Sequence, residues 1–299
     1  MKINNAYYLY FLAYLIIFTA CQQDLTSDIT KYSEIVDLSS PGDFDTSTNE
    51  LGIYTGRYMG HNHNVNIRST YKESIGGESR FDSRITAWSF DGLETSSRTL
   101  VNGGDFIVNN LEINYDNDAE RYKIKGFENG SLDMAFINDF IQNNVVGKTL
   151  NFENIVENRT IVETSFYVPH HLKLDGLSAN RIPETNLVNI DRNFEVSYNF
   201  DQENENGLIV TLSYRGNFFG MTLNDLENPT PENIRRAIHV KNENPNGLLN
   251  LPSSFFAGIP TNAIVTIHVG RGGGSLFEHE NQSYYIRSSS EQQFDAVLN

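Results

Sequence analysis

The chain has 299 residues, and its 22 lysines and arginines stand against 38 aspartates and glutamates, for a formal net charge of −16. A surface with this charge repels phosphate backbones, so the composition argues against nucleic acid as a partner. The single cysteine excludes an intramolecular disulfide, and 19 Phe and 15 Tyr beside only 4 Met indicate strands more than helices.

The first twenty residues have the order of a secretory signal peptide: a charge at Lys2, an apolar run over 6–18 and small residues before Cys21. The run is shorter than the roughly 20 apolar residues that a membrane-spanning helix needs. Thr19-Ala20-Cys21 resembles the lipobox of bacterial lipoproteins, although Phe18 stands where that family usually has leucine. The resemblance implies removal of residues 1–20 and lipidation of Cys21. The alternative is an ordinary secreted protein with one buried free cysteine.

Residues 21–50 are polar and rich in serine and threonine, so we expect a flexible tether between the anchor and the folded part. A first β-sandwich domain is predicted over 51–159, with its clearest hairpin around the turn 116–118. Its predicted strands are 53–58, 61–68, 84–90, 106–115 and 121–127. The segment 132–141 fits a helix or a strand about equally well.

A second β-sandwich domain is predicted over 160–299. Its predicted strands are 165–168, 170–174, 194–200, 208–214, 263–269 and 283–287. One helix is predicted over 229–238, because Thr230 and Pro231 are typical of a helix start. The glycine-rich segment 270–275 is predicted to be a hairpin loop. It fails as a dinucleotide-binding motif, since Ser275 replaces the third required glycine.

Three segments of the second domain resemble immunoglobulin-like modules of Bacteroidetes-type envelope lipoproteins. They are Phe255-Phe256-Ala257-Gly258-Ile259-Pro260, the strand 264–269 with Arg271, and Tyr284-Tyr285-Ile286-Arg287-Ser288-Ser289. The predicted fold class is therefore mainly β, with two tandem immunoglobulin-like β-sandwich domains after the signal peptide and tether. The implied location is the outer membrane or cell surface, where the lipid anchor holds the exported protein.

Two sequence patterns could bind a metal ion. His61 and His63 are two residues apart on one strand face, an arrangement that can chelate Zn²⁺, yet Val65 and Ile67 continue that face as core would. The turn 201–207 carries Asp201, Glu203 and Glu205 at alternating positions, as Ca²⁺ loops do, but it lacks the EF-hand glycine and final glutamate. We expect no bound metal or other cofactor, with Zn²⁺ and Ca²⁺ as the alternatives.

The sequence contains no GxSxG, HExxH or Walker pattern. We therefore expect a non-enzymatic binding, adhesion or scaffolding module whose partner is a glycan or an envelope protein. One alternative is an exported metal-dependent enzyme that uses His61 and His63. The other is a structural subunit of an outer-membrane complex. Exposed aromatic side chains at strand ends would favour the binding module, and a large apolar surface patch would favour the structural subunit.

Overall fold

The computed structural model describes residues 36–37, 62–72, 80–91, 99–124, 134–217, 234–241 and 243–299. Within these ranges the chain is mainly β with sandwich packing, which confirms the predicted fold class. The signal peptide, Cys21, the predicted strand 53–58 and His61 lie outside the described residues. In the described part of the chain, no helix has the length and apolar character needed to cross a membrane.

The largest element is an eight-stranded sheet; all strands are numbered in chain order. In spatial order its main path is β1 (Val36–Asp37), β13 (Arg235–Val240), β12 (Leu208–Asn217), β15 (Ala263–His279), β16 (Gln282–Leu298), β2 (His63–Lys72) and β3 (Arg80–Ser89). The eighth strand, β10 (Leu187–Ile190), runs parallel to the end of β16. The 17-residue strands β15 and β16 form one long hairpin at the centre of this sheet.

Two smaller sheets and one helix complete the fold. A five-stranded antiparallel sheet contains β6 (Arg121–Ile124), β5 (Leu111–Asp116), β4 (Asp105–Val108), β7 (Lys148–Val156) and β8 (Arg159–Val168). A three-stranded sheet contains β14 (Leu248–Leu251), β11 (Phe194–Tyr198) and β9 (Leu174–Asp175). Helix α1 (Met134–Asn144) precedes β7, and short 3₁₀ turns cover Leu177–Asn180 and Ser253–Phe256.

Both small sheets pack on the same face of the large sheet, which we call its inner face. Tyr284 and Ile286 of β16 join a core with the five-stranded sheet, while Phe294, Ala296 and Leu298 join a core with the three-stranded sheet. All five residues have even numbers and so point to one side of the strand. The hairpin β15–β16 therefore runs through both sandwiches.

The two cores divide the chain in a simple way. The first core draws its buried residues from 65–168 together with Tyr284 and Ile286, and the second draws them from 172–298. The domain boundary predicted at 159/160 lies at the start of β8, directly after the turn of the β7–β8 hairpin, and the residues of the two cores divide between Val168 and Leu172. The large sheet also takes strands from both sides of that boundary, because β2 pairs with β16 in parallel. The two sandwiches thus share one sheet.

Several local predictions were wrong or incomplete. Residues 235–238 of the predicted helix lie in β13, which pairs with β12, and the start of that helix lies outside the described residues. The glycine-rich segment 270–275 is part of β15 and not a loop. Residues 169–173, expected to lie mostly in a strand over 170–174, have no regular secondary structure. The ambiguous segment 132–141 is helical from Met134.

Candidate functional site

A band of polar side chains crosses the inner face between the two cores, and we call it the polar seam. Its members are Ser69, Ser83, Arg271, Ser288, Ser290 and Gln292, all buried. Their register places them side by side, because Ser290 pairs with Ser69 of β2 and with Arg271 of β15. Along the inner face, β16 is thus apolar at Tyr284 and Ile286, polar from Ser288 to Gln292, and apolar again from Phe294.

The polar seam holds the irregular residues 169–173, which we call the crossing segment because they connect the two sandwiches. The backbone N–H of Leu172 donates to Ser290 Oγ at 2.6 Å, and that of Leu174 donates to Gln292 Oε1 at 2.7 Å. The Ser288 hydroxyl donates to the Tyr167 carbonyl at 3.1 Å. Leu172 has no strand partner, so its buried N–H must find another acceptor, and the seam supplies one. The other two hydrogen bonds hold the strand ends on either side of the crossing segment.

A buried group of charges, the inner charge cluster, lies at one end of the seam and consists of Arg271, Asp201 and Glu243. Arg271 Nε lies 3.4 Å from a Glu243 oxygen, and its Nη1 lies 3.8 Å from Asp201. Tyr167 donates to both Asp201 oxygens, and the His170 N–H donates to the same carboxylate at 2.7 Å. Burial raises the pKa of Glu243 to about 7, although the Arg271 charge opposes this shift.

An open cleft of about 440 Å³ lies where the crossing segment, β3, helix α1 and the end of β11 meet. We call it the junction cleft; it is lined by Phe81, Gln142, Asn143, Val146, His170, His171, Asn199 and Phe200. Its volume falls within the roughly 300–1,000 Å³ that is usual for small-molecule sites. The cleft combines aromatic rings with side-chain amides, a mixture suited to a ligand that is apolar on one side and polar on the other.

His171 forms one wall of the junction cleft, and its ring is held by two contacts. Its ring stacks on Phe81 with the centroids 3.9 Å apart, and Nδ1 accepts a hydrogen bond from the Ser69 hydroxyl at 2.7 Å. Burial, and then the charge of neighbouring His170, lower the pKa of His171 to about 4. The imidazole is therefore neutral at ordinary pH and contributes a flat surface, not a charge.

Two further lining residues are held by the backbone around them. The His170 ring covers Gly147, where an added Cβ would lie 2.2 Å from a ring carbon. Gly147 also has a φ of +68°, which favours glycine. The Asn199 amide donates to the His171 carbonyl at 2.6 Å and accepts from the Lys173 N–H at 2.7 Å. These contacts fix the crossing segment against the end of β11 and so preform the cleft.

Other lining residues offer groups to a ligand. Gln142 and Asn143 are exposed on the last turn of α1, and no hydrogen bond from their side-chain amides is found among the described residues. Phe200 is 38% exposed, just beyond the end of β11. If the alternation of 194–198 continued, Phe200 would lie on the buried face, but the strand ends at Tyr198 and the Phe200 ring is exposed.

The structure explains His63 without a metal. The residue is only 4% exposed. Its Nε2 donates to Gln282 Oε1 at 2.6 Å, and Nδ1 accepts from the Ser89 hydroxyl at 2.9 Å. Its ring also stacks on Tyr284 with the centroids 4.4 Å apart. Burial lowers the pKa of His63, which the hydrogen bond to Gln282 opposes. Both ring nitrogens are thus used inside the fold.

The acidic residues of the predicted calcium turn point in different directions. Asp201 is buried and faces Arg271, whereas Glu203 and Glu205 are exposed. Asn204, in the middle of the turn, is also buried, and its side-chain amide donates to Glu243 at 2.7 Å. Among the described residues, no three His, Cys, Asp or Glu side chains gather as a metal-binding group.

The opposite face of the large sheet carries a second group of charges, the outer charge cluster, in which the buried Glu291 and Arg287 meet His268 and the more exposed Arg68. Arg68 and Arg287 contact the two Glu291 oxygens at 2.5 and 3.2 Å, and His268 Nε2 lies 3.0 Å away. Burial alone would raise the pKa of Glu291, but the His268 hydrogen bond and the two arginine charges lower it to about 2. No sequence motif indicated either charge cluster.

Comparison with known proteins adds no identification: no protein-family model matches the chain, and no curated protein or solved structure matches it either.

Proposed function

We propose that this chain is an exported, lipid-anchored binding module that holds its ligand in the junction cleft, at the outer membrane or cell surface. The lipobox-like Thr19-Ala20-Cys21 supports the anchor, and the polar residues 21–50 would keep the folded part clear of the lipid. The module acts by binding and not by catalysis. Its ligand is a glycan or a segment of a partner envelope protein.

The observation that carries this proposal is the exposed ring of Phe200 in one cleft with the exposed side-chain amides of Gln142 and Asn143. Aromatic side chains supply much of the binding energy at protein surfaces, and a few polar groups around them orient the ligand. The neighbouring His171 and Asn199 are held by hydrogen bonds within the protein. A preformed site of this kind loses little entropy when it binds a ligand.

The two alternatives have less support in the described residues. An enzyme built on His61 and His63 needs an open imidazole, whereas His63 is buried with both nitrogens engaged. A structural subunit would offer a broad apolar surface, whereas Leu100 and Phe200 are the exposed large hydrophobic residues of the described part. The binding module is therefore the function that the geometry supports best.

Saturation-transfer NMR on the full chain in mild detergent tests the proposal with four probes: methyl glucoside, glucuronate, glucosamine and trialanine. We expect at least one probe to receive saturation from the protein. Phe200→Ala should abolish that transfer. Leu100→Ala is the matched control, because Leu100 is similarly exposed, at 40%, but does not line the cleft. Equal transfer in both variants, or no transfer to any probe, would contradict the proposal.

The anchor is tested separately through Cys21. Replacement of Cys21 by serine removes the thiol that the lipobox resemblance assigns to lipidation, so the variant should leave the membrane fraction and incorporate no labelled palmitate. A variant that stays with membranes and is labelled like the wild type would exclude this anchor.

A further inference from the structure

The junction cleft has an unusual charge balance for this protein. The whole chain carries a formal net charge of −16, yet no Asp, Glu, Lys or Arg lines the cleft among the described residues. The nearest acid in sequence, Asp201, directly follows Phe200 but turns inward to Arg271 and Tyr167. The Lys148 ammonium group donates a hydrogen bond to the Asn143 carbonyl oxygen. Asp201 and Lys148 are thus engaged within the protein.

We infer that the ligand of the junction cleft is a neutral saccharide, an inference that rests on the proposed binding function. A pyranose ring has an apolar face of C–H groups that packs on an aromatic ring, as the exposed Phe200 offers. Its hydroxyls lie around the ring edge and both donate and accept hydrogen bonds. Side-chain amides match them, because each amide also donates and accepts.

Charged ligands fit the same walls poorly. A carboxylate or ammonium group that enters the cleft gives up part of its hydration, and no Asp, Glu, Lys or Arg side chain lines the cleft to compensate for it. The only titratable lining groups are His170 and His171, and the latter is held neutral by its burial beside Phe81. A neutral peptide offers amides but no ring that could lie flat on Phe200 with hydroxyls around its edge.

Isothermal titration of the full chain in mild detergent compares three glucose-type trisaccharides of equal length. One is neutral, one carries uronic acid groups and one carries free amino groups. We expect the neutral trisaccharide to bind at least about tenfold more tightly than either charged one at pH 7.5 and 150 mM salt. Equal or tighter binding of a charged trisaccharide would overturn the inference.

Variants locate the binding and separate its two components. Phe200→Ala removes the stacking ring and should weaken the neutral trisaccharide by about tenfold. The double variant Gln142→Ala, Asn143→Ala should weaken it by a smaller factor. Helix α1 should stay folded in this variant, because alanine is a good helix former. Leu100→Ala should bind like the wild type. The inference would be overturned if Leu100→Ala lost binding, or if Phe200→Ala bound the neutral trisaccharide as tightly as the wild type.

Failure of this inference differs from failure of the proposed function. If trialanine or a charged sugar receives saturation transfer that Phe200→Ala abolishes, the cleft binds a ligand of another class, and only the saccharide inference is wrong. If no probe depends on Phe200, the cleft is not a binding site and both are wrong.

Discussion

Two buried glutamates, Glu243 packed against the inner face of the large sheet and Glu291 on its opposite face, have pKa shifts of opposite sign. Glu243 belongs to the inner charge cluster and has a pKa raised to about 7, whereas Glu291 belongs to the outer charge cluster and has a pKa lowered to about 2. Both side chains are only 1% exposed, so a difference in burial does not explain the difference. The cause is the number of opposite charges near each.

In the inner charge cluster one guanidinium faces two carboxylates, whereas in the outer charge cluster two guanidiniums and an imidazole face one carboxylate. A second anion disfavours ionisation of the first, and each added cation favours it. Ionised Glu243 therefore leaves the inner charge cluster with one cation against two buried anions, whereas protonated Glu243 leaves a single ion pair.

The largest effect should come from removing the single inner cation. Arg271→Met leaves Asp201 and Glu243 buried without a counter-charge, and we expect a loss of about 3–5 kcal/mol in the free energy of unfolding. The matched outer variant is Arg68→Met, whose side chain is 48% exposed and whose role is shared by Arg287. That variant should lose less than about 1 kcal/mol. Urea unfolding measures both, and equal losses would refute the difference between the clusters.

A smaller effect is expected from Glu291→Gln. The variant leaves Arg287, itself 4% exposed, without its anion, so the free energy of unfolding at pH 7 should fall by about 2 kcal/mol. Because the pKa of Glu291 is lowered from 4.5 to about 2, its contribution is present above pH 4.5 and is lost as the pH falls through 2. Unfolding curves from pH 7 to pH 2 should therefore show a weaker acid dependence in the variant.

Glu243→Gln should have the opposite sign and a smaller size. The pKa of Glu243 is raised from 4.5 to about 7, so its contribution is complete below pH 4.5 and is lost as the pH rises through 7. The neutral variant should therefore be more stable than the wild type at pH 8, by about 1 kcal/mol. At pH 4 the two should be similar. A variant less stable than the wild type at pH 8 would show that the ionised carboxylate is favourable.

The smallest effect is expected from His268→Gln in the outer charge cluster. His268 is 20% exposed, and Glu291 keeps both arginines in its absence. The glutamine can donate a similar hydrogen bond, so the free energy of unfolding at pH 7 should change by less than about 0.5 kcal/mol. Thermal unfolding measures it. A loss as large as that of Glu291→Gln would mean that His268 is the main partner of the carboxylate.

The sequence predicted the strands whose polar and apolar residues alternate. The segments 194–200 and 208–214 became β11 and β12 because one face of each packs on the core. The sequence did not predict the middle of β16 as a strand, because Arg287 to Gln292 is a polar run without alternation. It is buried all the same, since its even residues face the crossing segment and its odd residues hold the outer charge cluster.

The wrong helix over 229–238 shows how pairing overrides local signals. Thr230 and Pro231 favour a helix start, but residues 235–240 are β13 and pair with β12 over six positions. The junction cleft could not be predicted either. Phe81, His171 and Phe200 are up to 119 residues apart in the sequence, and they meet only because both sandwiches share one sheet.

The most direct test of the proposed binding site is a crystal structure of the protein with the neutral glucose trisaccharide. We expect one sugar ring in van der Waals contact with Phe200, with its hydroxyls hydrogen-bonded to Gln142 and Asn143, and the crossing segment unmoved. A trisaccharide bound away from the junction cleft, or a cleft that stays unoccupied at saturating concentration, would contradict it.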